Sequence, residues 1–509
     1  MPPDLPLARR PDRVYSVHEV NRQGGESEMG ARVTRKEFLR ASGAVAGGVL
    51  TGGMLASAAE VLSARLASAA STLSATTLTP GSGAQQICVD TPLTIAFNQA
   101  PRLGTSGRIR VVRADGTVVD TIDLSAATQT KVIGTATTPF NFHPVIVTGN
   151  SAAIFLHQAL AYGQSYHVLV DPGVFLDSTG QPFAGISDPN AWRFQTKSAA
   201  PRAGTTTLTV AADGTGDFCT VQGAIDFVPA GNTQRVHVQV KPGTYTEIVY
   251  AGPTKTMITV LGLDRAGTVV QYANNNTFNG AVTGNNRALF GVDAADFALQ
   301  TITLHNTTPE GGSQAEAFRG SAQRIMLDRV TLRSRQDTLR LQGAAFVTNS
   351  YLEGDVDFTW GNGGVFFNAC EIRALHRTVS SSTDIFAQIR NGQSNHGNVY
   401  LNCQLTGPNL TSADTVFLAR IDPTKFPFSQ VVYLSCAMNP RVAAAGWQLN
   451  NATTAPNVQF WEHRSTDLAG KPLNVSGRAS FSRQITDAQA AQWSSPTFVL
   501  GWTPPATAP

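Results

Sequence analysis

Val330-Thr331-Leu332 and, twenty residues further on, Ser350-Tyr351-Leu352 belong to a series. Ile302-Thr303-Leu304 precedes them, and Cys370-Glu371-Ile372, Cys403-Gln404-Leu405 and Cys436-Ala437-Met438 follow. Each is an apolar-x-apolar step, with serine at the first position of one, and successive steps lie about 20 to 33 residues apart. A unit so short cannot bury its own apolar face, but a stack of such units can. One short strand with turns per repeat predicts a solenoid, here a right-handed parallel β-helix over residues 206–505. Cys370, Cys403 and Cys436 share one repeat position and are expected as small apolar thiols stacked in the core, with neighbours within disulfide reach. With Cys88 and Cys219 the total is five, so at least one stays unpaired within the chain.

The same register organises the chemistry. Asp337 lies five residues after Leu332, and Asp357 five residues after Leu352. Adjacent coils therefore place the two acids in one column, and adjacent strands are about 4.8 Å apart. Two carboxyls this close in a partly desolvated groove titrate as a pair, one ionised and the other tending to keep its proton. An ionised carboxylate can attack a carbonyl carbon, and a protonated one can donate to a leaving group. Gln336 and Gln314 offer neutral amide donors for a developing oxyanion. A ladder of Asp or Asn closing solenoid turns accounts for one such acid more readily than for two in register beside Gln and Arg.

Upstream the texture changes. Residues 80–198 carry short alternating strands such as Leu93-Thr94-Ile95-Ala96-Phe97. Arg108-Ile109-Arg110-Val111-Val112 meets Thr117-Val118-Val119 across Asp115-Gly116, a two-residue hairpin signal. Tyr166 to Val170 ends at Asp171-Pro172-Gly173. This predicts a β-sandwich, and with Trp192-Arg193-Phe194-Gln195-Thr196 near its end it resembles the immunoglobulin-like modules of bacterial surface and secreted proteins. Spacing, docking and glycan binding are the candidate roles, a plain spacer first among them. A Ser/Thr/Ala-rich linker is expected over 71–79. Residues 1–70 read as an export signal: Thr34-Arg35-Lys36-Glu37-Phe38-Leu39-Arg40, an Ala/Gly-rich run from Ala41 to Ala59, and small-residue cleavage options at Ala56-Ser57-Ala58 and Ala67-Ser68-Ala69. The layout resembles the twin-arginine type, with Lys36 at the second arginine position. Met29 begins a more ordinary signal than Met1 does. The product is expected in the periplasm or medium, without a membrane span.

Composition narrows the classes. Of 509 residues only 14% are charged and the net charge is +3, so neither a nucleic-acid partner nor an acidic tail is indicated. The nine His are scattered, and no Cys/His spacing suggests a metal site.

Several ordered motifs resemble the pectinesterase (pectin methylesterase) family over residues 207 to 503. They are Asp213-Gly214-Thr215-Gly216-Asp217-Phe218, Thr220 to Ile225, Lys241-Pro242-Gly243-Thr244-Tyr245-Thr246-Glu247, Gln314-Ala315-Glu316-Ala317 (family Q-A-V-A), Gln336-Asp337-Thr338-Leu339 (Q-D-T-L), Val356 to Gly361 (V-D-F-I-F-G), Leu418-Ala419-Arg420 (start of L-G-R-P-W), and Arg478 to Trp502. The resemblance implies an all-β, cofactor-free and metal-free β-helix esterase acting on pectin; a monomer is expected. It puts Asp357 at the nucleophile position, Asp337 at the acid/base position, Gln314 and Gln336 at the oxyanion, and Arg420 beside the nucleophile. Trp360, Tyr245, Phe358, Arg340 and Trp447 are the side chains expected against the sugar chain. Two positions depart from the family groove: Arg340 stands where a tyrosine follows Q-D-T-L, and Asp422 where an aromatic follows L-G-R-P. An acyl-thioester or other ester hydrolase on the same scaffold is one alternative. A non-catalytic glycan-binding protein is another, although it would be expected to lose one of the five catalytic residues. The motif sets of a polygalacturonase and of a calcium-dependent lyase are not found.

Overall fold

The computed structural model describes residues 72–280, 285–378 and 383–506. The expected export signal and its cleavage options lie outside the described residues. From Ser71 to Pro509 the chain is one compact unit, and among its described residues no helix is long and apolar enough to cross a membrane.

The N-terminal module is a sandwich of two sheets. One is four-stranded, in the order Ala75–Thr79, Leu93–Phe97, Ser151–Ile154, Val145–Thr148. The other is five-stranded, in the order Ala84–Ile87, Arg193–Thr196, Ser165–Val170, Arg108–Arg113, Val118–Asp123. The Asp115-Gly116 hairpin is present, with Gly116 at φ +89°. Alternation places Leu93, Ile95, Phe97 and Val168 between the sheets, together with Trp192, whose indole N–H donates to the Pro80 carbonyl at 2.9 Å. The linker expected over 71–79 is in part a strand. Ala75–Thr79 pairs antiparallel with Leu93–Phe97, because the threonine-rich run has strand propensity and an apolar partner edge to join.

The second part is a parallel β-helix of three long sheets with eleven, nine and six strands. The repeated steps stack as their spacing requires. Thr303, Thr331, Tyr351, Glu371, Gln404 and Ala437 form one ladder. Inward of them Leu304, Leu332, Leu352, Ile372, Leu405 and Met438 form another, each at most 1% exposed. Burial of each such side chain contributes roughly 1.5–3 kcal/mol. A ring ladder, Phe367 on Tyr400 on Tyr433 with centroids 4.5 and 4.6 Å apart, continues the same core. Bends between sheets recur as left-handed residues, among them Arg329, Asn349, Ala369, Asn402 and Ser435, at φ of 50° to 53°. All five cysteines are buried free thiols; the Cys436 Sγ–H, for example, donates to the Tyr400 carbonyl.

The sandwich is docked on the first coils. Ile133 and Phe140 join the solenoid's own apolar cluster. Asp90 accepts from the Cys219 and Thr220 amides (3.0 and 2.8 Å) and from the Thr220 hydroxyl (2.6 Å), and the His143 amide donates to the Tyr272 hydroxyl at 2.8 Å. Thr220 caps the helix Val221–Phe227, and Glu247 takes that helix's first amides, Val221 and Gln222, at 2.8 and 3.0 Å. The solenoid thus begins under a lid of sandwich and helix, which supplies the cap that a stack of repeats needs.

Candidate active site

Two adjacent coils build the site. The strands Leu339–Leu341 and Thr359–Gly361 pair in parallel, Leu339 with Thr359 and Arg340 with Trp360, and Gln336 bridges to Val356. The Asp337 amide donates to the Val356 carbonyl at 3.0 Å, and the Ala315 amide to the Gln336 carbonyl at 3.1 Å. Residues 315, 336 and 356 therefore stack, and Asp337 and Asp357 follow one above the other. Both adopt a left-handed backbone, φ +66° and +50°. That conformation is uncommon outside glycine and is best tolerated by Asp and Asn. The strand carrying Trp360 ends at Gly361, φ +137°, where a Cβ would meet the Leu341 carbonyl oxygen at 1.9 Å. Only glycine allows this coil to sit on the one before it.

The two acids have different partners. The Arg420 guanidinium, on Ala419–Ile421, holds Asp357 with both prongs, Nε to Oδ1 at 3.0 Å and Nη2 to Oδ2 at 2.5 Å. Asp337 accepts from Arg287 Nη2 at 2.8 Å through Oδ2, while the same guanidinium clasps Glu316 at 2.7–2.9 Å. Glu316 is fully buried; Asp337 and Asp357 are 7% and 6% exposed. Burial raises both aspartic acids above the usual carboxylate range. For Asp357 the neighbouring charges, Arg420 and then Arg390, all oppose that rise. For Asp337 the Glu316 charge adds to it ahead of any opposition from Arg287, and Asp357 adds again. The surroundings thus oppose ionisation of Asp337 more than that of Asp357, which has two arginines and no acid among its charged neighbours. Among the described residues, neither the Gln314 nor the Gln336 carboxamide is taken by another protein group, so both can donate.

The residues expected along the sugar chain divide. Arg340 and Trp360 lie side by side, guanidinium to ring centroid 4.6 Å, and Arg390 and Arg287 approach the same indole at 5.0 and 5.4 Å. Asp422 accepts from Thr424 and from Asn451 at 2.9 Å and lies 3.6 Å from the Lys425 ammonium. Tyr245, Phe358 and Trp447 occupy inward positions and are corrected to core residues. Tyr245 is 3% exposed and donates to the Lys241 carbonyl at 2.8 Å. Phe358 is fully buried against Phe386. Trp447 stacks on Phe460 at 4.8 Å, and its strand neighbour Gln448 pairs with Arg420. All three rings belong to the apolar core of the solenoid.

Arg287, Glu316 and Arg390 were not singled out from sequence. Glu316 left a signal, a charged residue at the valine position of Q-A-V-A. Arg287 left none, because its partners come from coils 29 and 50 residues away. The site lies apart from a cavity of about 300 Å³ lined by Lys131, His157, Asp226 and Glu247, where the sandwich meets the first coils.

A β-helix with two aspartates stacked on adjacent coils, one of them held by a bidentate arginine, defines the site class. The family model described as Pectinesterase matches residues 207–501, and the one described as Bacterial Ig-like domain matches 69–196. Pectinesterase 31 of Arabidopsis thaliana is 33% identical over 303 residues, covering 57% of this chain and 91% of that protein. Pectinesterase 1 of Olea europaea is 30% identical over 328 residues, covering 61% and 84%. The structure of pectin methylesterase from carrot superposes with a TM-score of 0.54 at 24% identity, over 60% of this chain and 95% of that one, a likeness of fold. The chain belongs to the pectinesterase family and is a carboxylic ester hydrolase.

Proposed function

We propose that the protein hydrolyses the methyl esters of pectin, with Asp357 as nucleophile and Asp337 as acid and then base. The Asp357 carboxylate, held in orientation by Arg420, attacks the ester carbonyl carbon. The oxygen that gains charge is met by the Gln314 and Gln336 amides. Collapse breaks the bond to the methoxy group, which takes the Asp337 proton and departs as methanol, leaving an acyl-enzyme on Asp357. A water that gives its proton to Asp337 hydrolyses it, releasing a uronate carboxylate and restoring both acids. The observation that carries this reading is the asymmetry of the pair: a two-pronged arginine on Asp357, and a buried glutamate behind Asp337.

A polymer of this kind does not cross membranes, so the reading goes with export to the periplasm or medium; cell fractionation with an antibody to the full chain tests it. For the activity, methanol release from highly methylated pectin is measured beside an acyl-thioester and an aryl ester, with EDTA present. Methanol release from pectin is expected under these conditions. Cleavage of the thioester alone refutes the pectin assignment, and cleavage of none supports a binding protein.

A further inference from the structure

Glu316 poses a physical question, because a fully buried carboxylate is costly unless paired. Its partner is Arg287, which gives it three N–H contacts at 2.7–2.9 Å, donates to Asn276 Oδ1 at 3.3 Å, and turns one Nη2 proton toward Asp337 Oδ2 at 2.8 Å. A guanidinium bonded to Asp337 with no counter-charge would favour its ionised form, the wrong state for a proton donor. A buried glutamate with no arginine would be an uncompensated charge. Together they are neutral, and they leave Asp337 a directed hydrogen bond without a net positive charge. That bond also distinguishes the two carboxyl oxygens. Oδ2 accepts an N–H, as a carbonyl-type oxygen does, so the acid proton belongs on Oδ1.

We propose that Arg287 and Glu316 are positioning residues for Asp337, holding its proton on Oδ1 and keeping it protonated until the leaving group needs it. The inference rests on reading Asp337 as the proton donor. In the second half-reaction Oδ1, now bare, faces the attacking water, and the Glu316 charge makes Asp337 the stronger base. The remaining charged groups around Asp337 are Asp357, Arg390 and Arg340. Asp357 already has the two prongs of Arg420, and Arg390 donates to Gln388 Oε1. Arg287 and Glu316 therefore set the balance at Asp337.

The test is the pH dependence of methanol release by the full chain. Glu316→Gln keeps the shape and removes the counter-charge, so Arg287 acts on Asp337 alone. The limb where activity falls with rising pH should move to lower pH by roughly one to three units. In the double variant Arg287→Leu with Glu316→Val the two charges leave together, so that limb stays near its wild-type place. Its kcat falls at least about tenfold with KM little changed, because the proton is no longer directed. An unmoved limb in Glu316→Gln, or wild-type kcat in a folded double variant, overturns the proposal. Where Glu316→Gln does not fold by circular dichroism, the double variant decides. Asp337→Asn separates the two levels. If it keeps turnover, the reading of Asp337 fails; if it is inactive while Glu316→Gln leaves the limb in place, only the role of Arg287 and Glu316 fails.

Discussion

Arg420 and Asp357 meet through two parallel hydrogen bonds although 63 residues separate them, because Ala419–Ile421 packs against Ala387–Ile389, the strand that pairs with Thr359–Gly361. A fork on a carboxylate specifies direction as well as charge. Arg420→Lys keeps the charge and loses the fork. Its turnover on pectin should drop at least about tenfold, ~1.4 kcal/mol in the barrier, with little change in KM. Steady-state methanol release checks this, and unchanged kcat would show that orientation by the fork is dispensable.

A stability prediction comes from the neighbouring coil. Asp384 is fully buried, and among the described residues neither of its carboxyl oxygens has a hydrogen-bond partner. Burial, with Asp355 adding to it, pushes its carboxyl up to about 8. The folded state therefore holds a proton that the unfolded chain releases above about 4. The contribution of this group to folded stability is fully present below that pH and falls as pH rises toward 8, by on the order of 1 kcal/mol per unit. Asp384→Asn should flatten this decline in urea melts at pH 5 and pH 8. A variant whose pH dependence equals wild type would assign the decline to other groups.

Much of this architecture is legible in the chain because solenoid register is a local property. The apolar-x-apolar steps foretell which residues stack, and Asp337 and Asp357 follow by counting. The inward direction of Phe358 and Trp447 is less legible, since Phe358 lies just before its strand and Trp447 opens a three-residue one, so neither has an alternation to read. Tyr245 belongs to the same class; its ring lies under the sandwich, and Glu247 from the same motif caps a helix. The docking of the sandwich is not legible because its contacts, polar ones such as Asp90 on Thr220 and apolar ones such as Ile133 and Phe140, are scattered along the module. Arg287 could not be found from sequence because its role exists only where three coils meet.

Arg340 yields a prediction about substrate. With Arg390 and Arg287 it surrounds Trp360 with guanidinium groups, where an aromatic groove would stack on sugar faces. Such a patch favours a free carboxylate on a neighbouring uronate. The enzyme should prefer partly de-esterified pectin to fully methylated pectin, with a KM that rises with ionic strength. Arg340→Tyr should lose both traits. Unchanged preference and salt response in that variant would return Arg340 to a packing role against the indole.

The central claim is that Asp357 attacks the ester, and Asp357→Asn tests it most directly because the amide keeps the shape and removes the nucleophile. Single-turnover methanol release from methylated pectin should fall by orders of magnitude, while far-ultraviolet circular dichroism and pectin binding persist. Retention of more than about a tenth of wild-type turnover, a loss under ~1.4 kcal/mol, would contradict the account and place the nucleophile elsewhere.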